Sequence, residues 1–181
     1  MKKYDTIFLD RDGTLNPDPG YINSMDQFVF YDFTMDALKI LGDGGNRFCI
    51  ITNQSGVGRG MIELDVLSEI HNFILNQFHD NGLELLGIYF CPDHPDEATD
   101  YRKPGIELFK QAAEDHGIDL SNSIMIGDTD SDILAGVNSG MDTMLVYTGR
   151  GKEAQSILRE ITPTFTADNL LTGAKQILGQ D

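Results

Sequence analysis

The stretch Ile7-Phe8-Leu9-Asp10-Arg11-Asp12-Gly13-Thr14 sets the reading of the whole chain. Three consecutive apolar residues suit a short strand buried on both faces, and the run ends abruptly in two carboxylates one residue apart. A like-charged pair is costly to bury at a strand end unless a cation or a proton is shared between them. The placement therefore suggests a metal site in a catalytic loop. Gly13 lets backbone amides approach a ligand closely, and Thr14 offers a hydroxyl able to cap the next turn. An acidic turn after a strand would also explain these residues, so the remaining strand ends must decide.

Outward from this stretch the chain alternates short apolar runs with longer amphipathic ones, without repeats or low-complexity segments, as an α/β fold does. Strands are predicted at Thr6 to Leu9, Arg47 to Ile51, Gly87 to Phe90, Ser123 to Ile126, Thr143 to Val146 and Thr164 to Thr166. Leu64, Leu67, Ile70, Ile74, Leu75 and Phe78 recur at helical spacing, with Gly82 as the stop. Further helices are expected around Met35 to Leu41, Ile106 to His116, Asp130 to Ser139, Glu153 to Arg159 and Asn169 to Leu178. Ligands of an open parallel sheet bind outside the carboxyl ends of its strands.

The second strand ends in Thr52-Asn53-Gln54-Ser55-Gly56, hydroxyls and amides that can bind phosphate oxygens or, equally, cap a simple turn. Val57-Gly58-Arg59-Gly60 puts a cation on the same rim. After the third strand a polar loop from Cys91 to Tyr101 leads to Arg102-Lys103-Pro104-Gly105, where Pro104 suits a first helical turn. A lysine just ahead of a helix opposes the helix dipole, so Lys103 is expected either to hold an anion or to be solvated. The fourth strand ends in Gly127-Asp128-Thr129-Asp130-Ser131-Asp132. Capping needs one of those carboxylates, and Asp128 with Asp132 is better explained by a hard, oxygen-seeking cation such as magnesium.

Composition narrows the class. At 181 residues the chain is expected to be one domain, 1–181, with a core of its own. With 29 Asp plus Glu against 13 Lys plus Arg, the formal charge of −16 argues against nucleic acid or an anionic membrane as partner. Cys49 and Cys91 suit a reducing compartment. No apolar stretch has signal-peptide or membrane-spanning length, so the cytoplasm is the expected location.

Asp10 through Thr14, Thr52-Asn53-Gln54, Lys103-Pro104 and Gly127-Asp128 through Asp132 together resemble the four ordered motifs of the haloacid dehalogenase superfamily of phosphotransferases. Gly20-Tyr21-Ile22, Asn53 through Gly60, and Cys91-Pro92 with Arg102-Lys103-Pro104 resemble more narrowly the branch holding the heptose 1,7-bisphosphate phosphatases and histidinol phosphatases. The resemblance implies a three-layer Rossmann-like fold, with a mostly parallel sheet, helices on both faces and no large cap domain. It implies a phosphomonoester hydrolase with Asp10 as nucleophile and Asp12 as general acid and base. Magnesium is expected on Asp10, Asp12 through its backbone carbonyl, and Asp128, with Thr52 and Lys103 at the transferring phosphoryl group. Asp132 is expected to support the site through Lys103 or a metal-bound water. Asn53, Gln54, Arg59 and Arg102 are expected at the substrate, the arginines at a second phosphate or a sugar hydroxyl.

The expected partner is a small phosphorylated substrate, a sugar bisphosphate first, with histidinol phosphate or a broader range of sugar phosphates as alternatives, acted on by a monomer. A receiver-like signalling module also carries an acceptor aspartate, but lacks the second acid that Asp12 supplies. The branch carries a zinc loop of the pattern Cys-x-His with Cys-x-Cys. Here only Cys91 matches, Asp93 stands at the histidine position, His94 is one residue late, and Asp100-Tyr101 precede Arg102. Zinc is therefore not expected.

Overall fold

The computed structural model describes residues 3–158 and 160–179. Its six strands are β1 (Thr6–Leu9), β2 (Arg47–Asn53), β3 (Leu85–Cys91), β4 (Ile124–Gly127), β5 (Asp142–Val146) and β6 (Phe165–Ala167). They form one parallel sheet in the order β3-β2-β1-β4-β5-β6. The helices are α1 (Thr34–Asp43), α2 (Ser55–Gly58), α3 (Leu64–Asp80), α4 (Glu107–His116), α5 (Asp130–Asn138), α6 (Gly151–Ile157) and α7 (Leu170–Leu178).

Strands apolar at every position are explained by what lies on each side. Ile7 and Leu9, Phe48 and Ile50, and Ile124 and Ile126 point into a core built with α1, α3 and α7, where Leu38, Ile74, Phe78 and Leu170 are fully buried. Their alternates Phe8, Cys49, Ile51 and Met125 point the other way, against Leu108, Phe109 and Ala112 of α4 and Ala135 of α5. Period-two alternation thus divides one apolar strand between two layers of helices. Burying each such side chain favours the fold by roughly 1.5–3 kcal/mol.

Several boundaries move. β2 runs two residues further than predicted, carrying Thr52 and Asn53 to the tip of the sheet, and β3 runs from Leu85 to Cys91 on the edge. α6 begins at Gly151 and ends at Ile157, and Arg159, predicted as its last residue, lies outside the described residues. Pro104 does not enter a helical turn. α4 opens only at Glu107, and Arg102 to Gly105 form a turn closed by the Gly105 amide on the Arg102 carbonyl at 2.7 Å. The chain leaves β1 toward β2 and β3 on one side, and β4 returns to the other side of β1. The crevice where the order reverses therefore opens between the ends of β1 and β4.

Candidate active site

Asp10 is the first residue beyond β1, and its amide continues the sheet by donating to the Ile126 carbonyl of β4 at 2.9 Å. Asp128 is the first residue beyond β4, so neighbouring central strands lift the two carboxylates side by side. Asp132 follows in the first turn of α5. Its carboxylate accepts from the amide and hydroxyl of the N-cap Thr129, while the Thr129 hydroxyl accepts from the Asp132 amide, a reciprocal capping box. Gly127 makes this possible, because a Cβ there would overlap the Asp132 carboxylate.

Lys103 reaches into the middle of this group. Its Nζ donates to Asp10 Oδ1 at 2.7 Å and to the Ile51 carbonyl at 2.6 Å, and forms an ion pair with Asp132 Oδ1 at 2.6 Å. The expectation that it stands just ahead of a helix, opposing the dipole, is thereby corrected, and it is not solvated. Lys103 lies four residues before α4, is 3% exposed, and its counter-charges are carboxylates of the protein. Burial works against its charge, but Asp10 and Asp132 outweigh that and hold the ammonium well above its usual pKa.

Three buried carboxylates against one ammonium leave an excess of negative charge, and the acids respond. Burial pushes the Asp10 carboxyl up, opposed by Lys103 and reinforced by Asp132 and Asp128. Burial, then Asp132, pushes Asp128 up to about 7, against the Arg150 amide and Lys103. Oxygens of Asp10, Asp128 and Asp132 lie within 4.8 Å of one another, and Asp128 Oδ1 is buried without a partner. A hard divalent cation fits this set: it takes oxygen ligands, satisfies the orphaned atom and removes the charge excess.

The other Asp128 oxygen, Oδ2, accepts from the Arg150 amide at 2.8 Å. Gly13 and Gly149 stand against Asp128 with positive φ values of 90° and 52°, and a Cβ on either would overlap its carboxylate. Thr148 Oγ1 ties the two loops together by donating to the Gly13 carbonyl at 2.6 Å. Thr148 to Arg150 follow β5. Sequence reasoning misses them because it stops at the fourth strand, although the strand-end rule points equally to the fifth.

Asp12 lines the same cavity as Asp10 but is not part of this group of three carboxylates. Arg11 grips it with Nε on Oδ1 at 3.0 Å and Nη2 on Oδ2 at 2.8 Å, and Asn16 Nδ2 donates to Oδ1 at 2.9 Å. Gln54 Nε2 donates to Asp12 Oδ2 at 2.8 Å and to Thr52 Oγ1 at 2.9 Å. Burial raises the Asp12 carboxyl, but these donors, Arg11 first, outweigh it and hold the group below the usual carboxylate range. Asn53 exchanges hydrogen bonds with the main chain of Lys103, Nδ2 to the carbonyl at 3.2 Å and Oδ1 from the amide at 3.1 Å. The amides of Gln54 and Asn53, expected at the substrate, therefore hold Asp12 and Lys103 in place, although both residues also line the cavity.

That cavity, about 620 Å³, spreads from Asp10 and Lys103 to Arg59 and Arg102. The two arginines are close enough for Arg59 to add to burial in lowering the Arg102 pKa. Across from them Arg150 pairs with Asp18 at 3.3 Å. The sequence-predicted site residues thus line one cavity, except Asp128, which stands beside Asp10 and Asp132; the structure adds Arg150 to the lining, and Arg11, Asn16 and Gly149 against Asp12 and Asp128.

A family model described as HAD-hydrolase-like matches residues 100–173. D-glycero-β-D-manno-heptose-1,7-bisphosphate 7-phosphatase of Pasteurella multocida is 38% identical over 174 residues, covering 89% of this chain and 94% of its own. Its counterpart in Haemophilus ducreyi is 40% identical over 159 residues, covering 82% and 86%. This chain belongs to the HAD-like heptose bisphosphate phosphatase family. A solved structure of the D,D-heptose 1,7-bisphosphate phosphatase from B. bronchiseptica, complexed with magnesium and phosphate, superposes with a TM-score of 0.88 at 28% identity, covering all of both chains.

Within the family fold, the segments that could carry a cap hold among the described residues a single 3-10 turn between β1 and α1, and between β2 and β3 the four-residue α2 with α3, whose Ile70, Ile74 and Phe78 are buried in the main core. The crevice is open. The loop from Cys91 to Tyr101 is fastened by protein groups: Asp93 Oδ2 accepts from the Thr99 amide at 2.9 Å and its hydroxyl at 2.5 Å. Arg102 Nη1 donates to the Asp93 carbonyl at 3.1 Å, and His94 Nδ1 accepts from the Asp96 amide at 3.1 Å. The Gln54 amide donates to the Cys91 carbonyl at 2.7 Å, binding the loop to the floor.

Proposed function

We propose that this chain is a magnesium-dependent phosphatase that removes the C7 phosphate of D-glycero-D-manno-heptose 1,7-bisphosphate through an aspartyl-phosphate on Asp10. The observation that carries the reading is a single cavity lined both by the buried group of Asp10, Asp132 and Lys103 and by the guanidinium residues Arg59 and Arg102. A bisphosphate offers one phosphate to the acidic group and a second to the arginines, and guanidinium forks bind phosphate oxygens in pairs.

An oxygen of Asp10 attacks phosphorus as the bond from phosphorus to the sugar oxygen breaks, and the departing alkoxide takes a proton from Asp12, which takes that proton up together with the substrate because the free site holds its carboxyl below the usual range. Asp12, then a carboxylate, draws a proton from the water that attacks the acyl-phosphate, which frees inorganic phosphate and restores Asp10. Lys103 orients Asp10 and offsets the charge on the transferring oxygens, with Thr52 beside it. Asp132 holds Lys103 from behind, at 2.6 Å. Asp10, the main-chain carbonyl of Asp12 and Asp128 would hold magnesium, which supplies Lewis-acid polarisation and neutralises charge.

The paired arginines favour a bisphosphate over histidinol phosphate, whose far end carries a cationic amine. Asp12 separates the chain from phospho-acceptor signalling modules. No described helix is long and apolar enough to cross a membrane. Both cysteines are buried free thiols, as suits a reducing compartment, and the reading places the enzyme in the cytoplasm, working as a monomer. The test is phosphate release from the heptose bisphosphate and from histidinol phosphate with magnesium present, with the product followed by phosphorus NMR. The reading expects a C1 monophosphate from the first substrate and far slower release from the second. Preference for histidinol phosphate, or loss of the C1 phosphate, would overturn it.

A further inference from the structure

Arg11 stands between the two aspartates, where its side chain would be free to face solvent, yet it is among the largest fully buried side chains, 1% exposed. Three of its surroundings are unusual for a spacer residue. Its Nε and Nη2 form a parallel fork on the two oxygens of Asp12. Its remaining nitrogen, Nη1, lies 3.4 Å from His71 Nε2, and its guanidinium carbon lies 6.0 Å from the centre of the Phe28 ring. Arginine has no lone pair to offer, so His71 Nε2 must be the acceptor, with its ring proton on Nδ1. Burial, then the Arg11 charge, lowers the His71 pKa to about 4, which keeps the ring neutral and able to accept. His71 itself interrupts the buried stripe Leu67, Ile70, Ile74 and Phe78 of α3, a place where an apolar side chain would pack without needing a partner.

We propose that Arg11 is a positioning residue for Asp12, and that His71 on α3 fixes the Arg11 fork in turn. Two parallel N–H donors fix both the rotation and the plane of a carboxylate, which one point charge cannot do. Acid and base steps both depend on where that carboxylate starts, and misplacement by about an ångström can cost roughly a hundredfold. The proposal rests on Asp12 being the general acid and base.

The test compares two leaving groups, with kcat/KM reporting steps up to leaving-group departure. The heptose bisphosphate expels a basic alkoxide that needs a proton from Asp12, whereas p-nitrophenyl phosphate expels a phenolate that does not. Arg11→Lys, which keeps the charge and loses the fork, should lower kcat/KM by about a hundredfold on the sugar phosphate and by less than about tenfold on the aryl phosphate. His71→Leu should show the same selectivity at about fivefold, and His71→Gln, which restores an acceptor, should return to wild-type values. Equal losses on both substrates mean general damage and would overturn the proposal. So would an Arg11→Lys enzyme as active as wild type, and His71→Leu without effect would remove His71 from it. Asp12→Ala separates the underlying reading. If it shows no leaving-group selectivity, the acid role of Asp12 fails; if it does and Arg11→Lys does not, the proposal fails alone.

Discussion

The floor and the rim of the crevice carry charges of the same kinds under opposite physical conditions. On the floor Asp10, Lys103, Asp128 and Asp132 are each 7% exposed or less; the first, second and last hold one another, and the Arg150 amide holds Asp128. On the rim Arg59 is exposed and Arg150 is 63% exposed, with Asp18 as its partner. Buried charges cannot be left unpaired without a cost of several kcal/mol, so the floor is set before any ligand arrives. Rim charges trade water for ligand at little cost, so they are free to differ between enzymes with the same chemistry. The floor is thus the part that fixes the reaction, and the rim the part that chooses the substrate.

Substitutions can break that division if it is wrong. The largest effect is expected for Asp10→Asn, which replaces a nucleophile by an amide and weakens a metal ligand, and should abolish turnover of every substrate in a phosphate-release assay. Gly149→Ala follows, since a methyl group there would overlap the Asp128 carboxylate and the backbone is left-handed. The magnesium concentration giving half-maximal activity should rise roughly 10- to 100-fold, read from a magnesium titration, with little change in saturated KM. Arg59→Ala or Arg102→Ala should raise KM for the bisphosphate about tenfold or more, and for a monophosphate about threefold or less. Equal effects on both would move the arginines off the second phosphate.

The smallest effect concerns stability behind the floor. The folded His71 pKa, about 4, lies below its ordinary value of 6.5, so the unfolded chain takes up the proton first. Its contribution is therefore full above about pH 6.5 and is lost as the pH falls toward 4, by about 1 kcal/mol at pH 6. Urea midpoints of wild type and His71→Gln should converge with falling pH if Gln is the less stable at neutrality, or diverge if it is the more stable. A constant gap between pH 7 and 5 would show that His71 does not titrate in the folded core.

Much of the fold is legible in the chain because each central strand is apolar throughout and each helix is amphipathic, which leaves a doubly covered parallel sheet as the consistent arrangement. The floor is legible for the same reason, since strand ends in such a sheet converge on one edge. What stays hidden depends on long-range contact. Arg11 reads as a spacer until His71, sixty residues away, is brought behind it. Gly149 reads as an ordinary turn glycine until Asp128 is found against its Cα. Lys103 is misjudged when local helix rules are applied to a residue whose partners, Asp10 and Asp132, come from the end of β1 and from α5. Asn53 and Gln54 stand out as polar site residues, but no local pattern can tell that their amides brace neighbouring site residues.

The most direct test of the central claim is a rapid quench of Asp12→Ala with p-nitrophenyl phosphate carrying radiolabelled phosphorus, followed by mapping of the labelled peptide. The phenolate leaves without a proton from Asp12, so the variant should form the acyl-phosphate faster than it hydrolyses it without its base. The account predicts a hydroxylamine-sensitive phosphoryl group on Asp10, absent from the Asp10→Asn, Asp12→Ala double variant. Label on another residue, or inorganic phosphate released at the single-variant rate by the double variant, would contradict it.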